Sequence, residues 1–455
     1  MKPYAEMNRE ELEAEHKFLE EQYKKYRYAA LSLDMSRGKP SPAQLDLSMG
    51  MMDVLNSSVD MTCEDGADCR NYGVMGGIAE AKELLADVLE VNPDNVIIFG
   101  NSSLNVMFDF IARSYSHGVM GFTPWCKLPT VKFICVVPGY DRHFAILEYF
   151  GIEMISVPML PTGPDMDMVE DLVSHDPAIK GIWCVPKYSN PTGNSYDDET
   201  VRRFARLEPA APDFRIYWDN AYTVHHLYDH HQDHLIEILA ECKRAGNPDI
   251  VYKFASTSKI SFPGSGIAMV AASLNNLQDI RACLKVQTIG HDKVNQLRHV
   301  RFFKDIHGVV EHMRKHADIL RPKFEIVENI LEEELGGLNI GTWTKPCGGY
   351  FISFDSLPGC AKAIVSVAKK AGVQLTPAGA TFPYGIDPND SNIRLAPSFP
   401  GEDEIRSAMK LFALCVKLVS CEKFLKELPE EPEAENAEGA DHAEAAADNA
   451  NVSNQ

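Results

Sequence analysis

At 455 residues, with 45% hydrophobic and 24% charged residues, the chain is long enough for a large core in two domains and has the composition of a soluble globular protein. Its formal net charge of −21 argues against a nucleic-acid partner, because binding a phosphate backbone needs a positive field. Eleven cysteines with no CxxC pair, a charged N-terminus and no run of eighteen apolar residues point to a cytoplasmic protein with reduced thiols, no metal site and no membrane span.

Residues 8–30 carry a helical pattern, and a turn-rich stretch follows at 34–42. An irregular segment, 63–71, leads through Tyr72-Gly-Val-Met-Gly-Gly77 into an amphipathic helix at 78–90. From there strand and helix patterns alternate. Strands are predicted at 96–99, 133–137, 154–157, 179–185, 215–218, 250–254 and 267–271, with helical patterns between most of them. This predicts an α/β fold with a mainly parallel sheet covered by helices on both faces. One long helical stretch, 277–334, is expected to link this large domain to a smaller α+β one. That part holds strands at 350–354 and 393–395 and helices at 360–371 and 401–419. The last segment, 429–455, has eight acids and no Lys or Arg, which predicts disorder. The expected division is a large domain at 51–319, a small one at 320–428 with residues 1–50 packed on it, and the acidic tail.

In open α/β sheets, ligands bind beyond the carboxyl ends of the parallel strands, and polar residues follow those strands in series here. Lys259 stands alone among Ser256, Thr257 and Ser258, between a buried strand and a Pro-Gly turn. Desolvation there would lower its pKa and free the amine to form a Schiff base with a carbonyl cofactor, whereas the plain alternative is a solvated loop lysine. Asn101, Ser102 and Ser103 read either as a phosphate cradle at a helix N-terminus or as a simple N-cap. Tyr140 could lay its ring on a planar group or pack in the core, and Asn190 could donate to a ring oxygen. Asp219, among aromatics, needs a cationic partner to stay ionised, and a protonated pyridine nitrogen is one.

The series Asn190-Pro-Thr-Gly193, Asp219-x-Ala-Tyr222 and Ser256-x-Ser-Lys259 resembles that of the class I, fold type I aminotransferases. Within them the chain resembles a divergent subgroup of aspartate aminotransferases, over residues 32–418. The resemblance implies pyridoxal 5'-phosphate as cofactor, amino acids and 2-oxo acids as substrates, and a homodimer with shared active sites. It also implies a role for each matching residue. Lys259 forms the Schiff base and moves the substrate Cα proton. Asp219 pairs with the pyridine nitrogen, supported by His143, while Asn190 and Tyr222 hydrogen-bond the phenolic oxygen and Tyr140 stacks on the ring. Ser102, Ser103 and Ser256 hold the phosphate, and Tyr72 reaches the phosphate of the neighbouring subunit. Arg394, in Ser391-Asn-Ile-Arg-Leu-Ala-Pro397, clamps the substrate α-carboxylate, a task that suits a bidentate guanidinium. Gly38 belongs to the N-terminal substrate loop, with Arg37 beside it.

One departure stands out: the turn Phe262-Pro-Gly-Ser-Gly-Ile267 lacks the phosphate-binding arginine found in relatives of Pro-Gly-x-Arg-x-Gly type, and Arg37 and Lys253 are the candidates to replace it. The implied reaction is ping-pong transfer of an amino group from L-aspartate to 2-oxoglutarate. Arg37, Lys293, Arg298 and Arg301 are candidates for the distal carboxylate. The alternatives are an alanine or aromatic aminotransferase, a lyase or decarboxylase on the same scaffold, and a non-enzymatic sensor. The last would need a DNA-binding domain for which the acidic residues ahead of 32 are too few.

Overall fold

In this computed structural model, residues 2–29 and 32–429 are described; the expected acidic tail lies outside them from residue 430 onward. Numbered along the chain, the strands are β1 (Leu33–Asp34), β2 (Val96–Ile98), β3 (Lys132–Val137), β4 (Glu153–Leu160), β5 (Gly163–Pro164), β6 (Ile179–Cys184), β7 (Arg215–Asp219), β8 (Val251–Ser256), β9 (Ala268–Ala272), β10 (Gly341–Trp343), β11 (Ile352–Ser356), β12 (Val373–Gln374) and β13 (Asn392–Leu395). Eight of them form one sheet in the order β2-β9-β8-β7-β6-β3-β4-β5. The run β8, β7, β6, β3, β4 is parallel, β9 is antiparallel to both β8 and β2, and β5 turns back antiparallel on β4. The central strands β7, β8 and β9 are buried at every position but Ser256, which fits their largely apolar composition.

Side chains alternate across this sheet and feed two cores. Phe133, Tyr217 and Phe254 pack on one face with Phe110 of the helix Ser103–His117. Ile134, Ile216 and Trp218 pack on the other with Phe204 of the helix Asp198–Ala205. A third core surrounds the three-stranded antiparallel sheet β10-β11-β13, where Leu12 and Leu19 of the helix Arg9–Tyr28 join Phe324, Phe354 and Phe412. A two-residue parallel ladder of β1 with β12 ties the N-terminal segment to this part.

The expected single helical stretch at 277–334 is three helices, Leu274–Gln287, Lys293–Phe303 and Ile306–Leu335. Asp292 and Asp305 are the N-caps that restart the chain, accepting from Asn295 N and Gly308 N, each at 2.9 Å. The third helix packs Val309 and Met313 in one cluster and Leu320 through Leu335 in the third core, and we propose that the two lobes divide within it, near residue 319. The C-terminal helix, Glu402–Glu427, runs past the expected end at 419 because Phe424 and Leu425 still have core to cover. Among the described residues no helix is long and apolar enough to cross a membrane, and no cluster of three or more His, Cys, Asp or Glu is placed to hold a metal.

Candidate active site

The carboxyl ends of β8, β7, β6 and β3 open onto a cavity of about 160 Å³, closed on another side by the N-terminus of the helix Ser103–His117. Register explains the convergence. Asp219 ends β7 opposite Phe254, and β8 continues two residues further to Ser256 before a short 3-10 turn, Thr257–Lys259, carries the lysine back over the sheet end. Lys259 lines the cavity with Asp219, Tyr222, Asn190, Tyr140, Ser102, Ser103, Ser256 and Gly38. Ser258, Phe351, Leu104, Met107, Val185 and Ala221 line it too; none of them was given a role in the site from sequence, although Ser258 and Ala221 stand in its motifs.

Burial pulls the Lys259 amine below the ordinary lysine range, and the nearby Asp219 charge opposes that only in part. Nζ lies 5.0 Å from the centre of the Tyr222 ring. Asp219 is buried, and its Oδ2 accepts a 3.0 Å hydrogen bond from His143 Nε2. His143 is itself fixed by stacking on Trp183, with ring centroids 4.3 Å apart and planes at 11°. The other oxygen, Asp219 Oδ1, is buried with no hydrogen-bond partner. A buried carboxylate oxygen left bare is costly, so this atom is built for a donor that arrives from outside the chain. Burial and then the Asp219 charge push the Tyr140 hydroxyl up to about 12, and burial raises Tyr222 well above its ordinary value, so both remain protonated donors.

Arg394 lies on β13, which brings it from the small sheet to the rim of the cavity. Nη1 donates to Asn190 Oδ1 at 3.2 Å and to Asp141 Oδ1 at 3.0 Å, Nε to Thr376 Oγ1 at 3.4 Å, and the guanidinium sits 4.9 Å from the Phe351 ring centre. Because the Asn190 oxygen is taken by arginine, its NH₂ is the end left to donate. Gly38 faces Phe351 so closely that a Cβ there would lie 2.3 Å from ring Cζ.

The serines form a chain rather than a scatter. Ser256 Oγ donates to Ser258 Oγ at 3.2 Å, and Ser258 Oγ to Asn101 O at 3.2 Å, next to the helix that begins at Ser103. Asn101 itself is a clip: its Nδ2 donates to Pro263 O and its Oδ1 accepts from Gly266 N, so its amide is spent on the turn after Lys259. A further support missed in the sequence is His299, whose Nε2 lies 2.8 Å from Ser261 Oγ and 3.1 Å from Thr257 Oγ1, the residues flanking the lysine. No local motif marks it, since it comes from the helix Lys293–Phe303, forty residues downstream.

Several candidates stand away from the cavity. Lys253 is buried behind the sheet, donating to Leu89 O at 2.6 Å and Glu237 Oε1 at 3.0 Å, which corrects its reading as a phosphate ligand. Arg37 is exposed, and Tyr72 is 81% exposed on an irregular segment. Lys293 Nζ holds Gly73 O at 3.0 Å, Arg298 Nη2 holds Ser265 Oγ at 2.5 Å, and Arg301 Nη2 holds Asp60 O at 2.5 Å, so each already has a partner within its own chain.

Comparison with known proteins adds the family. Residues 7–427 match the family described as aspartate amino-transferase. An aspartate aminotransferase of Corynebacterium glutamicum is 45% identical over 410 residues, covering 90% of this chain and 94% of that protein. The crystal structure of an aspartate transaminase from Corynebacterium glutamicum superposes with a TM-score of 0.90 at 44% identity, covering 93% of this chain and 99% of the other. At 18% identity, the α-aminoadipate aminotransferase LysN of Thermus thermophilus shares the fold, with a TM-score of 0.69 over 86% of this chain and 93% of its own.

Proposed function

This chain belongs to the aspartate amino-transferase family and is an aminotransferase of fold type I, and from that premise we propose that it uses pyridoxal 5'-phosphate to move the amino group of L-aspartate to 2-oxoglutarate. The observation that carries the reading is the bare Asp219 Oδ1, buried while its twin oxygen is held by His143. That atom asks for a cationic N–H donor, and a protonated pyridine nitrogen is one. The remaining residues fit the same group: a desolvated amine at Lys259 for its carbonyl, and hydroxyls at a helix N-terminus for its phosphate. When bound, the cofactor supplies an electron sink that makes the substrate Cα–H acidic.

The chain's own residues then divide the work. Asp219, steadied by His143, would accept from the ring nitrogen. Tyr222 and the Asn190 NH₂ would donate to the ring's phenolic oxygen, and Tyr140 would cover the ring face. Ser102, Ser103 and Ser256 would hold the phosphate, with Ser258 added from its place in the cavity. Arg394 receives the substrate α-carboxylate beside Gly38. Lys259 Nζ, its pKa depressed by burial, would be the base that takes the substrate Cα proton once the cofactor is bound.

We further propose a cytoplasmic homodimer in which Tyr72 reaches the neighbouring site. Tyr72 is 81% exposed and Met49 and Met52 are 53% and 55% exposed, a cost that a second copy would remove. A cation for the distal substrate carboxylate would come from Arg37, Lys293, Arg298 or Arg301 of either copy. The test is a visible spectrum of the purified protein before and after L-aspartate. A cofactor band that bleaches while oxaloacetate appears supports both cofactor and donor. A band untouched by aspartate removes the donor and turns the search to alanine and aromatic amino acids, and no band with added pyridoxal phosphate removes the cofactor.

A further inference from the structure

Arg394 is buried, and a buried guanidinium without a counter-charge is unfavourable. In this chain the counter-charge is internal. Asp141 Oδ1 lies 3.0 Å from Arg394 Nη1, on a side chain that is 34% exposed against 7% for the arginine. Asp141 is the first residue of the helix Asp141–Tyr149, directly after the ring-facing Tyr140. Its position on the helix would suit any acid in a first turn, but its carboxylate is turned onto the arginine instead.

We propose that Asp141 is a resident stand-in for the substrate carboxylate: it holds Arg394 while no substrate is bound and competes with each incoming carboxylate for the same guanidinium. The inference rests on the reading of Arg394 as the carboxylate clamp. Its geometry is that of a competition. Nε is committed to Thr376 Oγ1 at 3.4 Å, and Thr376 Oγ1 donates in turn to Ser36 O at 2.8 Å, so that edge is anchored. Nη1 is shared between Asn190 and Asp141. Two carboxylates on one buried guanidinium would leave a net negative charge, so binding a substrate carboxylate requires Asp141 to let go. Asp141 can do so because it is partly exposed on a short side chain and regains water as it leaves. It is thus an affinity-setting residue: it weakens every carboxylate ligand, and so raises the substrate concentrations at which the enzyme half-saturates.

The test is calorimetric titration of succinate, a dicarboxylate that cannot react, into the full-length holoenzyme and its Asp141→Asn, Asp141→Ser and Arg394→Gln variants. The expected result is tighter succinate binding by about three- to tenfold in both Asp141 variants, with loss of binding in Arg394→Gln. KM values for L-aspartate and 2-oxoglutarate should fall together in Asp141→Asn, a change that a merely structural role would not produce. Unchanged or weaker binding in both Asp141 variants, with Arg394→Gln still inactive in binding, overturns the competition and leaves the clamp. Undiminished binding in Arg394→Gln overturns the clamp and the competition with it.

Discussion

Replacing Asp219 by Asn tests the core of the proposed chemistry with the smallest change of shape. The asparagine Oδ1 can still accept from His143 Nε2, which now donates to Asp219 Oδ2 at 3.0 Å, so the local fold should survive. What is lost is the charge on the bare oxygen. A carboxylate about 3 Å from a ring N–H⁺ interacts by roughly 5 kcal/mol at an effective dielectric constant near 20. The amide NH₂ would point at the ring nitrogen in its place, and a donor there favours the unprotonated ring. If about 3–4 kcal/mol of this is felt only as charge develops at the substrate Cα, kcat falls on the order of 10²–10³-fold. The assay is steady-state turnover of L-aspartate with 2-oxoglutarate, read through oxaloacetate, alongside a thermal melt. A fall of less than about tenfold, with an unchanged melt, would refute the assignment of Asp219 to the ring nitrogen.

Arg394→Lys should lower kcat/KM on the order of 10²-fold for every carboxylate substrate, because one ammonium cannot reproduce the paired donors of a guanidinium; equal losses with amines lacking a carboxylate would contradict this. Phe412→Ala removes a fully buried ring that meets Phe354 at 5.1 Å in the third core and should cost about 3–5 kcal/mol in urea unfolding, while a cost below about 1 kcal/mol would mean the site collapses freely. His299 is held down to about 4 by burial, so the unfolded chain, with an ordinary histidine near 6.5, binds its proton first as pH falls. Stability is therefore fully present above about pH 6.5 and declines toward pH 4, by about 2 kcal/mol at pH 5 from this group alone. His299→Asn should show a shallower loss between pH 7 and pH 5, and parallel curves would remove the histidine from the explanation.

How much was legible follows from where each residue sits. β3, β6, β7 and β8 are buried on both faces, so their runs of Val, Ile and aromatic residues name them almost to the residue. The site residues follow these strands, so order along the chain becomes proximity in space: Tyr140 after β3, Asn190 after β6, Asp219 at the end of β7 and Lys259 after β8. What lay hidden depends on contacts between distant segments. Nothing in the sequence marks Asp141 until β13 brings Arg394 against it, or Phe351, just ahead of β11, until its ring lies 4.9 Å from that arginine. His299 has no local signal at all. The division of the 274–335 region was obscured because apolar spacing continues across the breaks, and it is the N-caps at Asp292 and Asp305 that start the second and third helices.

The turn after Lys259 leaves little room for a side chain where the arginine is absent. Its place in the Pro-Gly-x-Arg pattern is taken by Gly266, where a Cβ would stand 3.1 Å from Ser258 N and 3.2 Å from Ser258 Cα. Those are backbone atoms, so a side chain at 266 would push Ser258 rather than fold around it. Ser258 lines the cavity, and its hydroxyl links Ser256 to Asn101. A side chain at 266 would therefore require Ser258 to give way by a few tenths of an ångström. The turn is instead held from outside: Asn101 Oδ1 accepts from Gly266 N at 2.6 Å, Asn295 Nδ2 donates to Gly266 O at 2.9 Å, and Arg298 donates to Ser265 Oγ at 2.5 Å. The turn thus offers hydroxyls and backbone, and the positive charge it carries sits on Arg298, anchored to Ser265 just before Gly266.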